Sequence, residues 1–257
     1  MLFSAAISEV VVLNENLFLP FLATLGASLT VLFIQFNARR VKESKQKVYA
    51  VSYVFHQCHN ILFSELSIMK ATVIPHIKAI VRILENDNEL LTKMFLSDEF
   101  DILKAPSPEA NHLPNDYMLL LGYDDINLSS SYETLQYLES SDLERQELNE
   151  FVKSKLKNMN AFFKLTEDEK VDILHEYYDR LISIEHASNR KVFFIVYFLL
   201  PQFSAYAKSY QFLLYSKKNI NREKSKIQKV LADYKDFVPS TDFGSQTMNG
   251  GIQKEIT

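Results

Sequence analysis

The residues best suited to chemistry are His56, Cys58 and His59, in the run HQCH. The two histidines are three apart and share a helical face, which suits a pair of metal ligands. Zinc requires three or four ligands, and the sequence supplies no second cluster. Cys58 falls on an apolar series, where a lone cysteine behaves as a small buried hydrophobe. Asp172 and His175 stand one helical turn apart. A di-iron bundle needs two Glu-x-x-His motifs and two further glutamates, and here the first motif carries Asp and has no second. His76, His112 and His186 have no informative sequence neighbours. Asp124 and Asp125 lack the spacing of an EF-hand loop and read as solvated acids. The P-loop, G-x-G-x-x-G, G-x-S-x-G and H-E-x-x-H patterns are all missing. The expectation is no catalytic residue, no metal site and no cofactor.

The elements that must position any site are more legible. The chain has 257 residues, 47% hydrophobic, with 28 basic and 32 acidic side chains, a composition that excludes general disorder. One cysteine excludes an intramolecular disulfide, and five glycines leave almost none for phosphate-cradling loops. From Asn16 to Ala38 no charged residue occurs. A helix of about 20 such residues crosses a hydrocarbon core. Arg39, Arg40, Lys42, Lys45 and Lys47 follow at once, whereas only Glu9 and Glu15 carry side-chain charge before it. Basic residues remain cytoplasmic, so the pattern predicts an N-terminus outside and the remainder inside. A cleaved signal peptide would begin with a basic region, and residues 1–14 contain no Lys or Arg. Within the span Ala23, Gly26, Ala27 and Thr30 form a small face that lets helices approach closely in lipid.

Beyond the basic flank the apolar positions are Val48, Val51, Phe55, Cys58, Leu62, Leu66, Met69 and Val73. Their spacings of three and four predict the seam of a packed or coiled helix. Pro75 is expected to interrupt or kink it. Residues 104–116 hold three prolines and read as a loop, the best candidate for an internal boundary. Helical periodicity returns after Ser131. Thr166 and Glu169 form a capping box that starts a helix carrying Val171, Leu174, Tyr178 and Leu181. A second apolar run follows Lys191. Its uncharged length of about 16 residues, and Pro201 and Gln202 in its middle, favour a buried core helix over a second span.

The expected class is all-α: a short extracytoplasmic segment 1–15, a transmembrane helix 16–38, a cytoplasmic helical domain 39–237 and a disordered tail 238–257. The arrangement is similar to that of small bacterial inner-membrane proteins with one anchor and a helical cytoplasmic module, some of which serve in stress or phage defence; no motif carries that similarity.

Charge is segregated along the chain. Residues 85–150 hold sixteen acidic and three basic side chains, whereas 217–236 hold seven basic and three acidic. Basic ends at an anionic leaflet, or helices of opposite sign packed side by side, both explain this. The acidic total, with no basic stretch interleaved with aromatics, argues against nucleic acid. The expected partners are the bilayer and either a second copy or a protein partner. The leading function is a membrane-anchored interaction module. A pore-forming or membrane-perturbing effector is the alternative, and a membrane-bound hydrolase has the least support.

Overall fold

In the computed structural model the described residues are 2–85, 88–96, 100, 119, 121–122, 124–140, 143–209 and 214–243. They are all-helical, with no strand among them. The predicted loop 104–116, His112 and residues 244–257 lie outside this set. Helix α1 runs Leu2–Ile68, and a π-turn, Met69–Val73, joins it to α2, Ile74–Leu84. Then come α3 (Asn88–Leu96), α4 (Ile126–Ser140), α5 (Leu143–Phe151), a second π-turn (Val152–Leu156) and α6 (Met159–Phe162). Helix α7 (Glu167–Phe194) passes through a third π-turn (Ile195–Leu199) into α8 (Leu200–Ser209). Helix α9 (Leu214–Asp233) and a 3-10 turn (Lys235–Phe237) complete the order.

The chain divides into two compact units, Met1–Lys47 and Val48–Thr257. In the first, every residue from Pro20 to Lys42 is exposed. Here α1 contains an apolar window long enough to cross a membrane, none of it buried. Thr24, Ser28 and Thr30 donate their hydroxyls to the carbonyls of Pro20, Thr24 and Gly26, four residues back, at 2.8 Å each. Such back-bonding satisfies a hydroxyl within its own helix.

The second unit has two apolar cores. Val48, Val51, Phe55, Cys58, Leu62 and Leu66 join residues of α4, the end of α7, α8 and α9 in the first core. Met69 and Val73 belong to the second, with residues of α2, α3, α5 and α7. The predicted seam is therefore buried whole inside the chain's own bundle. The second apolar run is core as well: Val192, Ile195, Leu199, Phe203, Tyr206 and Ala207 are all buried.

Pro75 does not end the helix. The π-turn immediately before it, with Ile74 N–H bonded to Met69 O five residues back, changes the hydrogen-bond register where the missing proline N–H would leave a gap. Pro201 repeats the device: Leu200 N–H bonds Ile195 O, and the proline follows. Each proline lies six residues after the start of its π-turn.

The capping box forms as predicted. Glu169 N–H donates to Thr166 Oγ1 at 3.3 Å, and Thr166 N–H to Glu169 Oε2 at 2.8 Å. Of the expected face Leu174 and Leu181 are buried, together with Tyr177 and Ile184, whereas Val171 is exposed and Tyr178 half-buried. Val238–Phe243, read from composition as the start of a tail, is held against the bundle. Tyr197 donates to Pro239 O at 3.0 Å, and Phe193 meets Phe243 at 5.7 Å between ring centroids.

Candidate functional site

The HQCH histidines do not meet around a metal. His56 is exposed and its Nδ1 lies 3.5 Å from Glu223 Oε2, while its Nε2 faces Asn60 Nδ2 at 3.3 Å. His59 bonds Asn60 Oδ1 and stacks on Phe63. Cys58 is buried in the first core. Among the described residues no group of three or more His, Cys, Asp or Glu is placed to hold a metal ion. Asp172, His175 and His186 are exposed. Asp124 accepts from Tyr206 Oη at 2.5 Å, and Asp125 Oδ1 accepts from Asn127 N–H at 2.9 Å, so this acid pair makes specific contacts. His76, for which sequence gave no partner, shares a 2.8 Å hydrogen bond with Tyr177 Oη inside the second core, and burial pushes that phenol well above its ordinary range.

The strongest concentration of buried charge lies elsewhere. Glu65 of α1 is almost wholly enclosed, and three side chains converge on its carboxylate. Arg145 Nη2 of α5 and Ser188 Oγ of α7 both donate to Oε2, the serine at 2.7 Å; Lys191 Nζ of α7 donates to Oε1 at 3.3 Å. All four residues are buried. The first core uses α1 up to Leu66, and the second begins at Met69; α7 contributes to the second core up to Ile184 and to the first from Val192. The network therefore sits at the level where the two cores meet and ties three helices together there. Charge-assisted bonds of this kind demand a defined geometry, so they fix the axial register of α1, α5 and α7 more sharply than apolar contact does.

Each of these helices then passes through a π-turn. Met69 follows Glu65 by four residues and Ile195 follows Lys191 by four; Val152 follows Arg145 by seven, and Ile195 follows Ser188 by seven. Offsets of four and seven keep a helix face, so every π-turn opens on a buried apolar residue aligned with the network. Insertions into a helical ladder concentrate at functional sites. The carboxylate and its three partners are all enclosed. The chemistry of the network is electrostatic pinning.

A second acid, Glu223 of α9, is also buried, but its partners are at the surface. Burial pushes its carboxyl up, yet Lys226 at 3.0 Å, Arg222 at 3.2 Å and His56 outweigh that and hold it below the ordinary carboxylate value. Of the predicted basic flank, Arg39, Arg40, Lys42 and Lys45 are exposed, with Arg39 paired to Glu43 at 2.9 Å and Arg40 over the Phe36 ring; Lys47 is buried. The small face Ala23, Gly26, Ala27 and Thr30 is exposed, and a Cβ added at Gly26 meets nothing within 4 Å. Comparison with protein-family models, curated proteins and solved structures finds no match.

Proposed function

We propose that the chain is a membrane-anchored, non-enzymatic interaction module: one N-terminal span, a helical bundle on the cytoplasmic side, and self-association through the small face of the span. One observation carries this reading. Phe21, Leu22, Leu25, Leu29, Val31, Leu32, Phe33, Ile34 and Phe36 are exposed around the whole helix, although the same helix from Val48 onward is packed in a core. Each such side chain gains about 1.5–3 kcal/mol on full transfer out of water, and the span has the length that lipid requires. The exposed Arg39, Arg40, Lys42 and Lys45 favour a cytoplasmic C-terminal side.

The back-bonded hydroxyls of Thr24, Ser28 and Thr30 suit lipid better than a water-filled pore, which weakens the effector alternative. With the seam consumed by the bundle, the surface left for a second copy in the membrane is Ala23, Gly26, Ala27 and Thr30.

Reporter fusions after Thr257, expressed in a bacterial inner membrane, test the anchor. A green fluorescent protein is expected to be bright and an alkaline phosphatase silent; the reverse pattern overturns the orientation, and release of the protein by alkaline carbonate overturns the span. Gly26→Leu is expected to reduce cross-linked dimer in membranes severalfold, because its side chain holds two helix backbones apart. Undiminished cross-linking removes the small face from the account.

A further inference from the structure

The apolar face of α9 is spent on the bundle. Ile220, Ile227 and Val230 are buried in the first core. The opposite face carries Lys218, Arg222, Ser225 and Lys229 at offsets of four, three and four, all exposed. Lys226 borders this stripe, half-buried. Between residues 208 and 232 the chain has seven basic side chains and one acid, Glu223. That acid points inward, engaged by Lys226, Arg222 and His56. Lys224 instead turns to the bundle, 5.1 Å from the Phe55 ring centroid, where burial and then the charge of Lys208 hold its ammonium below the ordinary lysine value. Three exposed cations therefore line one face of the helix, and the one acid of the stretch lies beneath it. Such a face calls for a dense anionic surface.

We propose that the outer face of α9, built from Lys218, Arg222 and Lys229 with Lys226 at its edge, is a second and purely electrostatic membrane contact that takes anionic lipid headgroups. The inference rests on the anchored reading, which brings the bundle within reach of a leaflet. Lipid is favoured over an acidic protein because the same chain carries an exposed apolar segment of spanning length flanked by Arg39, Arg40, Lys42 and Lys45. Among the described residues from Lys218 to Lys229 the exposed side chains of this face are all polar or charged, so the contact is a docking of cations on headgroups and is screened by salt. Each cation held at an anionic surface is worth about a fivefold population factor, so three or more bias docking about a hundredfold.

Cys58 is fully buried, so Ser225→Cys places one reactive thiol in the middle of the basic stripe. The full chain with a nitroxide at that site is reconstituted in nanodiscs of phosphatidylcholine, with or without phosphatidylglycerol. Collision with a water-soluble nickel chelate is then read by power saturation. The expected result is a severalfold drop in nickel accessibility only in the anionic discs, reversed by about 0.5 M salt, which shortens the screening length to a few ångströms. Adding Lys218→Glu, Arg222→Glu and Lys229→Glu should abolish the drop. A label at Tyr137→Cys, exposed on α4, should stay wet throughout. Equal accessibility in both lipids overturns the proposal, and so does protection that appears in neutral discs and grows with protein concentration, which would assign the face to a second copy's acidic region. Failure of the anchored reading shows separately, as protein that does not co-migrate with the discs at all.

Discussion

Glu65→Ala is expected to destabilise the bundle by about 3–5 kcal/mol, the cost of removing one partner from a buried ion pair. The substitution takes the carboxylate away from two buried cations, Arg145 and Lys191, and from the Ser188 hydroxyl. A domain of ordinary stability has only about 5–15 kcal/mol in total, so the variant should melt far below its parent. Lys191→Met should cost less, because Glu65 retains Arg145 and Ser188. Glu65→Gln should fall between, keeping an acceptor for Ser188 but losing the charge. Changing Glu65, Arg145 and Lys191 together to Leu, Met and Met should recover most of the loss, since apolar replacements of a whole buried ionic cluster are often neutral or stabilising. Denaturant unfolding in mild detergent, followed by near-ultraviolet circular dichroism of the tyrosines, measures all four. Glu65→Ala within about 1 kcal/mol of the parent, or a triple variant no better than the single one, would contradict the pinning role.

The network was faintly legible in sequence. Glu65 is three residues after Leu62 and four before Met69, so it lies in register with the apolar seam. Arg145 stands in the series continued by Leu148, Val152 and Leu156, and Lys191 in the series Ile184, Ser188, Ile195. A charged residue that keeps the spacing of an apolar face is a signal of buried pairing. Sequence could not supply the pairing itself, because the partners of Glu65 lie 80 to 126 residues away. The long apolar N-terminal helix and the capping box were legible, since both depend on neighbours within one helix. The same locality misled the reading of Tyr178. Counting in fours from Leu174 lands on Tyr178, whereas the buried face packed against α2 keeps Leu174 and Leu181 but uses Tyr177 between them, where it meets His76. Pro75 marked a real irregularity, but the π-turn that accommodates it is a change of hydrogen-bond register that composition does not record.

Phe203→Ala is expected to cost about 3–5 kcal/mol of bundle stability, as truncation of a fully buried phenylalanine does. Phe198→Ala, five residues earlier in the same continuous helix, should cost about 1 kcal/mol or less. Phe203 is 0% exposed in the first core, whereas Phe198 is 44% exposed and its contacts are the neighbouring Phe193 and Phe194 rings. The pair tests the placement of the whole run from Val192 to Ala207. If the run is core, the two variants separate sharply in denaturant midpoint, and the Phe203 variant also loosens the amides of α1 around Phe55 and Leu62, which share its core. If the run instead crosses the bilayer, Phe198 and Phe203 both lie at membrane depth. Neither truncation then moves the unfolding of the cytoplasmic part, and hydrogen exchange at Phe55 and Leu62 stays unchanged. Equal effects of the two variants would therefore overturn the one-span topology, and with it the assignment of the basic face of α9 to the cytoplasmic leaflet.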